Sequence, residues 1–280
     1  MKHVIQPCLW FDNHVNEAAD YYSHVFQQCT VLSASPMTVQ IEIEGLPFTL
    51  LNGGPHFTPN PSISFFITYE SEAELDAVWN KLLPGGELLM PLAEYEWSKK
   101  YGWIQDRYGI SWHLSLGRIS DTGQKNVPFL LFVNEQYGLA EKAVDHYTAI
   151  FDDSFIDGIL RYSEEERPER AGSVKHGQFG LKNEKFMIME SSDDHRFSMN
   201  EAISLIVYCK TQKEVDYYWE QLTRGGREVQ CGWLKDAFGV SWQVVPVQLI
   251  ELMKDPAKQE RVMDAFMQMK KIDIAKLEEV

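Results

Sequence analysis

The chain has 280 residues, 44% of them hydrophobic, with 26 Lys and Arg against 41 Asp and Glu and a formal net charge of −15; this length predicts two domains, each able to bury its own core. An acidic surface of this strength repels phosphate backbones and anionic lipid, which excludes nucleic-acid and membrane partners, and the longest apolar run, 127–133, is far short of the ~20 residues that span a bilayer. The start, 1–7, lacks a charged head followed by an apolar stretch and a cleavage site, so a cytoplasmic chain without a leader is expected.

In chain order, 9–11 reads as a strand. Over 17–26, Ala18, Tyr22 and Phe26 recur four apart, one stripe of a helix. Alternating segments at 39–43 and 48–51 read as strands. A second round opens with a strand at 63–68, continues with a helix over 72–83 that turns Leu75, Trp79 and Leu82 inward, and closes on strands ending at 110–116. The Asp-x-x-Gly at 106–109 suits a tight hairpin turn, its Asp side chain bonding backbone amides and its Gly accepting positive φ. Gly, Ser, Asp and Thr cluster around 117–125 as in a linker.

Beyond the linker the chain repeats itself, which fixes the architecture. Gly102-Trp103-Ile104-Gln105-Asp106-Arg107-Tyr108-Gly109-Ile110-Ser111-Trp112-His113 is answered by Gly232-Trp233-Leu234-Lys235-Asp236-Ala237-Phe238-Gly239-Val240-Ser241-Trp242-Gln243. Glu74, Asp76, Trp79, Leu82, Gly85 and Gly86 are answered by Glu214, Asp216, Trp219, Leu222, Gly225 and Gly226, and Ala18, Tyr22 and Phe26 by Ala143, Tyr147 and Phe151. The expected organisation is a first domain at 1–118, a linker at 119–125, a second domain at 126–247 and a helical tail at 248–280. In the tail, Val262, Phe266 and Met269 recur at helical spacing and are expected to dock on the strands.

Cys8, Cys29, Cys209 and Cys231 form no C-x-x-C pair and have no His at zinc-finger spacing, so all four read as structural. The acidic stretch 163–170 reads as a solvated loop. No Ser or Cys sits in a nucleophile-elbow sequence.

Strand-helix-three-strand modules, paired within each domain, resemble the vicinal oxygen chelate superfamily of glyoxalases, bleomycin-resistance proteins and extradiol dioxygenases. Trp97, the 101–112 string with its second copy, and the tail 261–277 resemble more specifically its PhnB-like branch, which carries the legacy name 3-demethylubiquinone-9 3-methyltransferase domain. The resemblance implies an α+β fold of tandem vicinal oxygen chelate domains, each made of two βαβββ modules forming a bowl-like sheet. It also implies four bowl-lining positions around a divalent metal. Carried over, these fall near Pro7 and Pro128, on Ser62 and Ala202, near Thr49 or Leu50 and Met187 or Ile188, and on His113 and Gln243. One donor per copy is fewer than the about three protein ligands a catalytic site needs. No cofactor is assigned, and a divalent metal on a different ligand set stays open. The methyltransferase name fits poorly: the first strand of each copy runs into 13–16 or 134–138 without the Gly-x-Gly turn expected for S-adenosylmethionine.

Alternation sorts Ser111, His113 and Ser115 toward the bowl and Ile110, Trp112 and Leu114 toward the helices. It likewise places His176 and Gln178 opposite Phe179 and Leu181, with Thr38 and Gln40 at the corresponding places of copy one. Trp97 and Trp103 flank a polar segment, 98–101, expected to close over the bowl. In copy two this loop is ten residues shorter, six residues separating Gly226 from Trp233 against sixteen between Gly86 and Trp103.

The expected ligand-binding residues are Trp97, Tyr101, Trp103, His113, Gln40, His176, Gln178 and Gln243, with copy one binding the ligand and copy two docking on it as a homodimer partner would. The function expected is binding of a small molecule, a second copy of the chain being left open as a partner. The alternatives are bowls filled by their own side chains, or a divalent-metal lyase, isomerase or dioxygenase using His113 or His176.

Overall fold

The computed structural model describes residues 3–280; Met1 and Lys2, the first residues of the start read above as leaderless, lie outside the described residues. The first module comprises β1 (Ile5–Phe11), α1 (Val15–Val25), β2 (Cys29–Ala34), β3 (Thr38–Ile43) and β4 (Leu46–Asn52). The second comprises β5 (Ile63–Tyr69), α2 (Glu72–Leu82), β6 (Glu87–Tyr95), β7 (Ser98–Gln105) and β8 (Ser111–Leu116). After the short helix α3 (Ile119–Thr122) the pattern returns as β9 (Asn126–Phe132), α4 (Ala140–Ile150), β10 (Phe155–Arg161), β11 (Val174–Leu181) and β12 (Glu184–Glu190). The fourth module is β13 (Ile203–Cys209), α5 (Gln212–Thr223), β14 (Arg227–Glu228), β15 (Trp233–Lys235) and β16 (Ser241–Pro246), followed by α6 (Val247–Leu252), α7 (Gln259–Met267) and α8 (Ile274–Glu278). No described helix is long and apolar enough to cross a membrane.

Local chemistry sets the helix ends. Ser71 caps α2 by accepting from the Glu74 amide, and Thr211 and Glu214 form a reciprocal capping box on α5. The stripe Ala18, Tyr22, Val25 of α1 is buried, as is Ala143, Val144, Tyr147 of α4.

The chain divides into two compact units, one reaching to Gln6 and resuming at Ser204–Val280, the other Pro7–Ile203. The larger unit contains a complete eight-stranded sheet in the order β10-β11-β12-β9-β5-β8-β7-β6. Its centre is the antiparallel pair β5 and β9, with Ser64 opposite Phe129 and Phe66 opposite Val127. The sheet therefore draws one module from each copy, a pairing that the repeat does not specify. The larger unit also holds β1 from Pro7 onward, β4, β3 and β2 side by side, and the smaller holds β14, β15, β16 and β13 from Ser204 onward. In the smaller unit the tail packs Val262, Ile272 and Leu277 into one cluster, and the Cys231 and Gly232 amides donate to Met269 and Lys270 carbonyls at 2.7 Å.

The segment 98–101, expected as a loop closing over a bowl, is instead the first half of β7. The ten extra residues lengthen the β6–β7 hairpin, whose register runs from Glu87 opposite Gln105 to Tyr95 opposite Ser98. The aromatic alternation of Tyr101 and Trp103 favours a strand, and the Ser98 hydroxyl fastens the hairpin to β8 through Ser115 Oγ at 3.1 Å and the Leu116 carbonyl at 3.4 Å.

The turn at 106–109 forms as its sequence predicts. Asp106 Oδ1 accepts from the amides of Tyr108 and Ile110 at 2.8 and 3.1 Å, and Gly109 has φ +83°. Asp236 repeats both bonds to Phe238 and Val240 at 2.9 and 3.0 Å.

Candidate ligand-binding site

Strand register decides which side chains share the sheet face turned away from α2 and α4. On the helix side lie Phe65, Trp112, Phe179 and Ile188, all buried. On the other face Trp103 is opposite His113, His113 lies beside Phe66, Phe129 beside Met187, and Met187 opposite Gln178. His176 follows on the same face of β11. Val127, Phe129, Leu131, Val133 and Met187 form the buried base of this face, with Phe66, Trp103, Met189 and Phe197 partly exposed above it.

His113 is the most constrained member. Its ring stacks on Trp103 at 4.8 Å with 14° between planes and lies 4.8 Å from Phe129. Nε2 is 2.7 Å from Ser64 Oγ and Nδ1 is 2.6 Å from the Tyr101 hydroxyl, so both ring nitrogens are engaged. Burial, with the neighbouring His176 adding to it, pulls the pKa down to about 3, and the imidazole is neutral. Trp103 is held in turn, its indole N–H donating to Ser111 Oγ at 2.6 Å. Trp103 and His113 thus form a fixed, uncharged aromatic wall.

His176 differs. It is half-buried, its ring lies 6.3 Å from Phe129, burial lowers its pKa, and its ring nitrogens have no hydrogen-bond partner among the described residues. Gln178 beside it is spent on structure, donating to the Thr122 carbonyl at 2.9 Å and to Asp157 at 3.3 Å. Tyr101 is buried behind His113, and Trp97 stands at the hairpin tip, 64% exposed and stacked on Tyr95 at 5.0 Å. Tyr101 meets both of those rings edge-on.

The remaining expected residues lie elsewhere. Gln40, on β3 outside this sheet, donates to Thr49 Oγ1 at 2.9 Å. Gln243, on β16 in the smaller unit, donates to Ser204 Oγ at 3.0 Å. That pair reproduces in copy two the contact between His113 and Ser64. The position carried over to Ser62 precedes β5, and Ser64, two residues on and of the same parity, is the one that meets His113.

The face does not fit the divalent metal that the vicinal oxygen chelate resemblance implies. His113 has no free nitrogen, Pro128 and Met187 offer no hard or imidazole donor, and no three His, Cys, Asp or Glu converge among the described residues.

Sequence reasoning missed Phe66, Phe129 and Phe197, and reached Met187 only as one of two positions carried over from the resemblance. The run 127–133 is apolar on both faces, so alternation cannot choose a side for Phe129. Phe197 lies in the loop between β12 and β13, which meets the equivalent loop of copy one reciprocally: Asn60 Nδ2 donates to the Ser198 carbonyl at 3.0 Å and Asn200 Nδ2 to the Thr58 carbonyl at 2.9 Å. A further signal for these loops is the likeness of His56-Phe57 to His195-Arg196-Phe197.

The family model described as 3-demethylubiquinone-9 3-methyltransferase matches the chain twice, over residues 3–115 and 124–245. The chain belongs to this 3-demethylubiquinone-9 3-methyltransferase family. It is PhnB-like and has the vicinal oxygen chelate architecture as a tandem repeat. Glyoxalase I from Zea mays is similar in fold, at 11% identity and TM-score 0.59 over 90% of this chain and 96% of that one. A putative 3-demethylubiquinone-9 3-methyltransferase, PhnB protein, from Bacillus cereus is 32% identical over 40% of this chain and 98% of its own, at TM-score 0.37. A protein from Pseudomonas aeruginosa is 22% identical over 39% of this chain and 93% of its own, at TM-score 0.34. No curated protein matches the chain.

Proposed function

We propose that this 3-demethylubiquinone-9 3-methyltransferase family member binds a small molecule on the helix-free face of its eight-stranded sheet, without S-adenosylmethionine and without a metal. The observation that carries the reading is His176, a half-buried neutral imidazole without a hydrogen-bond partner among the described residues, next to a wall of Phe66, Trp103 and Phe129. Aromatic surface with one or two convergent polar groups is the usual build of a ligand site.

Against S-adenosylmethionine stands the fate of the helix N-termini. Asn52 Oδ1 accepts from the Val15 amide at the start of α1, and Glu190 Oε1 accepts from Gly138 and Ala140 at the start of α4. The amides that would greet a nucleotide's anionic or ribose groups are already satisfied by side chains.

A thermal-shift screen of aromatic small molecules, repeated on Trp103→Ala, tests the proposal. Stabilisation of the native chain that is lost in the variant supports it. Absence of stabilisation by every compound favours a face filled by its own side chains.

A further inference from the structure

We infer that the ligand of this face is an uncharged aromatic molecule carrying a hydroxyl group, its ring against Trp103 and Phe66 and its hydroxyl on His176. This rests on the small-molecule reading above and adds the chemical class.

Three observations carry it. First, the wall itself offers ring faces and no charged side chain, the exposed Lys99 standing two residues before Tyr101 on β7. Trp103 stacks on His113 at 4.8 Å and the Phe129 ring lies tilted 4.8 Å from His113, while Lys185, the cation on this face of β12, is held by Asp157 at 2.5 Å. An anionic group set against Trp103 and Phe66 would leave water without a cation beside it, and burying an unpaired carboxylate is costly.

Second, the polar groups beside the wall are consumed internally. Ser64 and Tyr101 are spent on His113, Ser111 on Trp103, and Gln178 on Thr122 and Asp157. The ring nitrogens of His176 have no such partner among the described residues.

Third, a neutral imidazole has one N–H donor and one bare nitrogen acceptor. A hydroxyl matches it, since the group can give its proton to the bare nitrogen or accept from the N–H. A carbonyl can only accept, and a methyl group can do neither.

The test uses the full chain and three para-substituted toluenes, the near-isosteric p-cresol and p-xylene and the anionic p-toluate, titrated by calorimetry. The native chain is expected to bind p-cresol about tenfold more tightly than p-xylene, the difference that one hydrogen bond makes at the upper end of its usual range, and p-toluate more weakly than either. His176→Phe is expected to bind p-cresol and p-xylene equally, while His176→Gln, which keeps a donor and an acceptor, retains the preference. Trp103→Ala is expected to weaken all three.

Equal binding of p-cresol and p-xylene by the native chain, a preference for p-toluate, or an unchanged preference in His176→Phe overturns the hydroxyl assignment while leaving the small-molecule reading in place. If none of the probes binds and the thermal-shift screen is also silent, the small-molecule reading fails and this inference with it.

Discussion

The indole N–H of Trp112 donates to Asp106 Oδ2 at 2.8 Å, and Trp242 makes the same bond to Asp236 at the same distance. Each pair ties the hairpin turn to the last strand of its copy from inside the core, where Trp112 and Trp242 are fully buried. The Asp106 carboxylate accepts two further amide bonds and one from the Tyr22 hydroxyl at 3.0 Å, so one side chain joins α1, the turn and β8.

Asp106→Asn keeps an oxygen for the two amides but turns an NH2 group toward the indole N–H and the Tyr22 hydroxyl. The expected loss is about 2–4 kcal/mol, because a buried donor is left facing a donor. Combined with Trp112→Phe the losses are expected to be non-additive by about 1–3 kcal/mol. Urea unfolding of the two single variants and the double variant measures the coupling; a loss below about 0.5 kcal/mol for Asp106→Asn, the range of ordinary surface changes, contradicts the role assigned to the carboxylate.

The acid limb of stability is expected to depend on His113. Its folded pKa of about 3 lies below the ordinary 6.5, so the unfolded chain takes the proton first as pH falls. The stability it contributes is intact above 6.5 and is lost progressively down to about 3, at no more than about 1.4 kcal/mol per pH unit. His176, lowered by burial in the same direction, adds to this loss. Asp106 acts oppositely: burial pushes its pKa up to about 6 from 3.8 against the pull of its hydrogen bonds, so it adds stability as pH falls between those values. Comparing the native chain with His113→Gln removes that background, and the variant is expected to show the flatter slope between pH 6.5 and 3. Equal slopes would mean that the imidazole is not held neutral.

Zinc or nickel added to the apo chain is expected to leave the unfolding temperature unchanged. A metal present at about 100 times its Kd would stabilise by ~2.7 kcal/mol, which a thermal melt resolves readily. Both His113 nitrogens are engaged, and His176 alone is one ligand where about three are needed. A stoichiometric metal-dependent shift would revive the metal-enzyme alternative.

The repeat made the fold legible because the Gly-Trp and Asp-x-x-Gly strings are local: the turn, the buried Trp and the helix stripes each follow from residues a few positions apart. The site was legible only in part. Parity along β8 and β11 correctly grouped His113 with Ser111 and His176 with Gln178, since side-chain direction in a strand is a local property. It could not reveal that β5 pairs with β9, so it could not bring Phe129 and Met187 to His113. Nor could it separate His113 from His176 in their hydrogen bonding. One is saturated by Ser64 and Tyr101, far away in sequence or in another strand, and the other is not. The segment 98–101 was misread for a related reason: its polar composition suggested a loop, but strand pairing on both sides and the Ser98 contacts hold it extended.

Gly102 offers a test of how tightly the wall is built. It lies on β7 between Tyr101 and Trp103, and a Cβ there would come within 2.6 Å of the Trp79 ring and 3.1 Å of the Leu92 Cα. Trp79 is 6% exposed, packed from α2 onto the strand through the space that the missing side chain leaves. Gly102→Ala must therefore displace either the indole or the strand, and overpacking of this kind costs about 1–3 kcal/mol. Shifting the strand would also move Trp103 off His113, so p-cresol binding is expected to weaken along with stability. Trp79→Leu should relieve the clash, making the double variant less destabilised than the two single losses added together. Strict additivity in urea unfolding would show that the glycine is not there to admit the indole, and that the position of Trp103 is set by its Ser111 bond and its stacking alone.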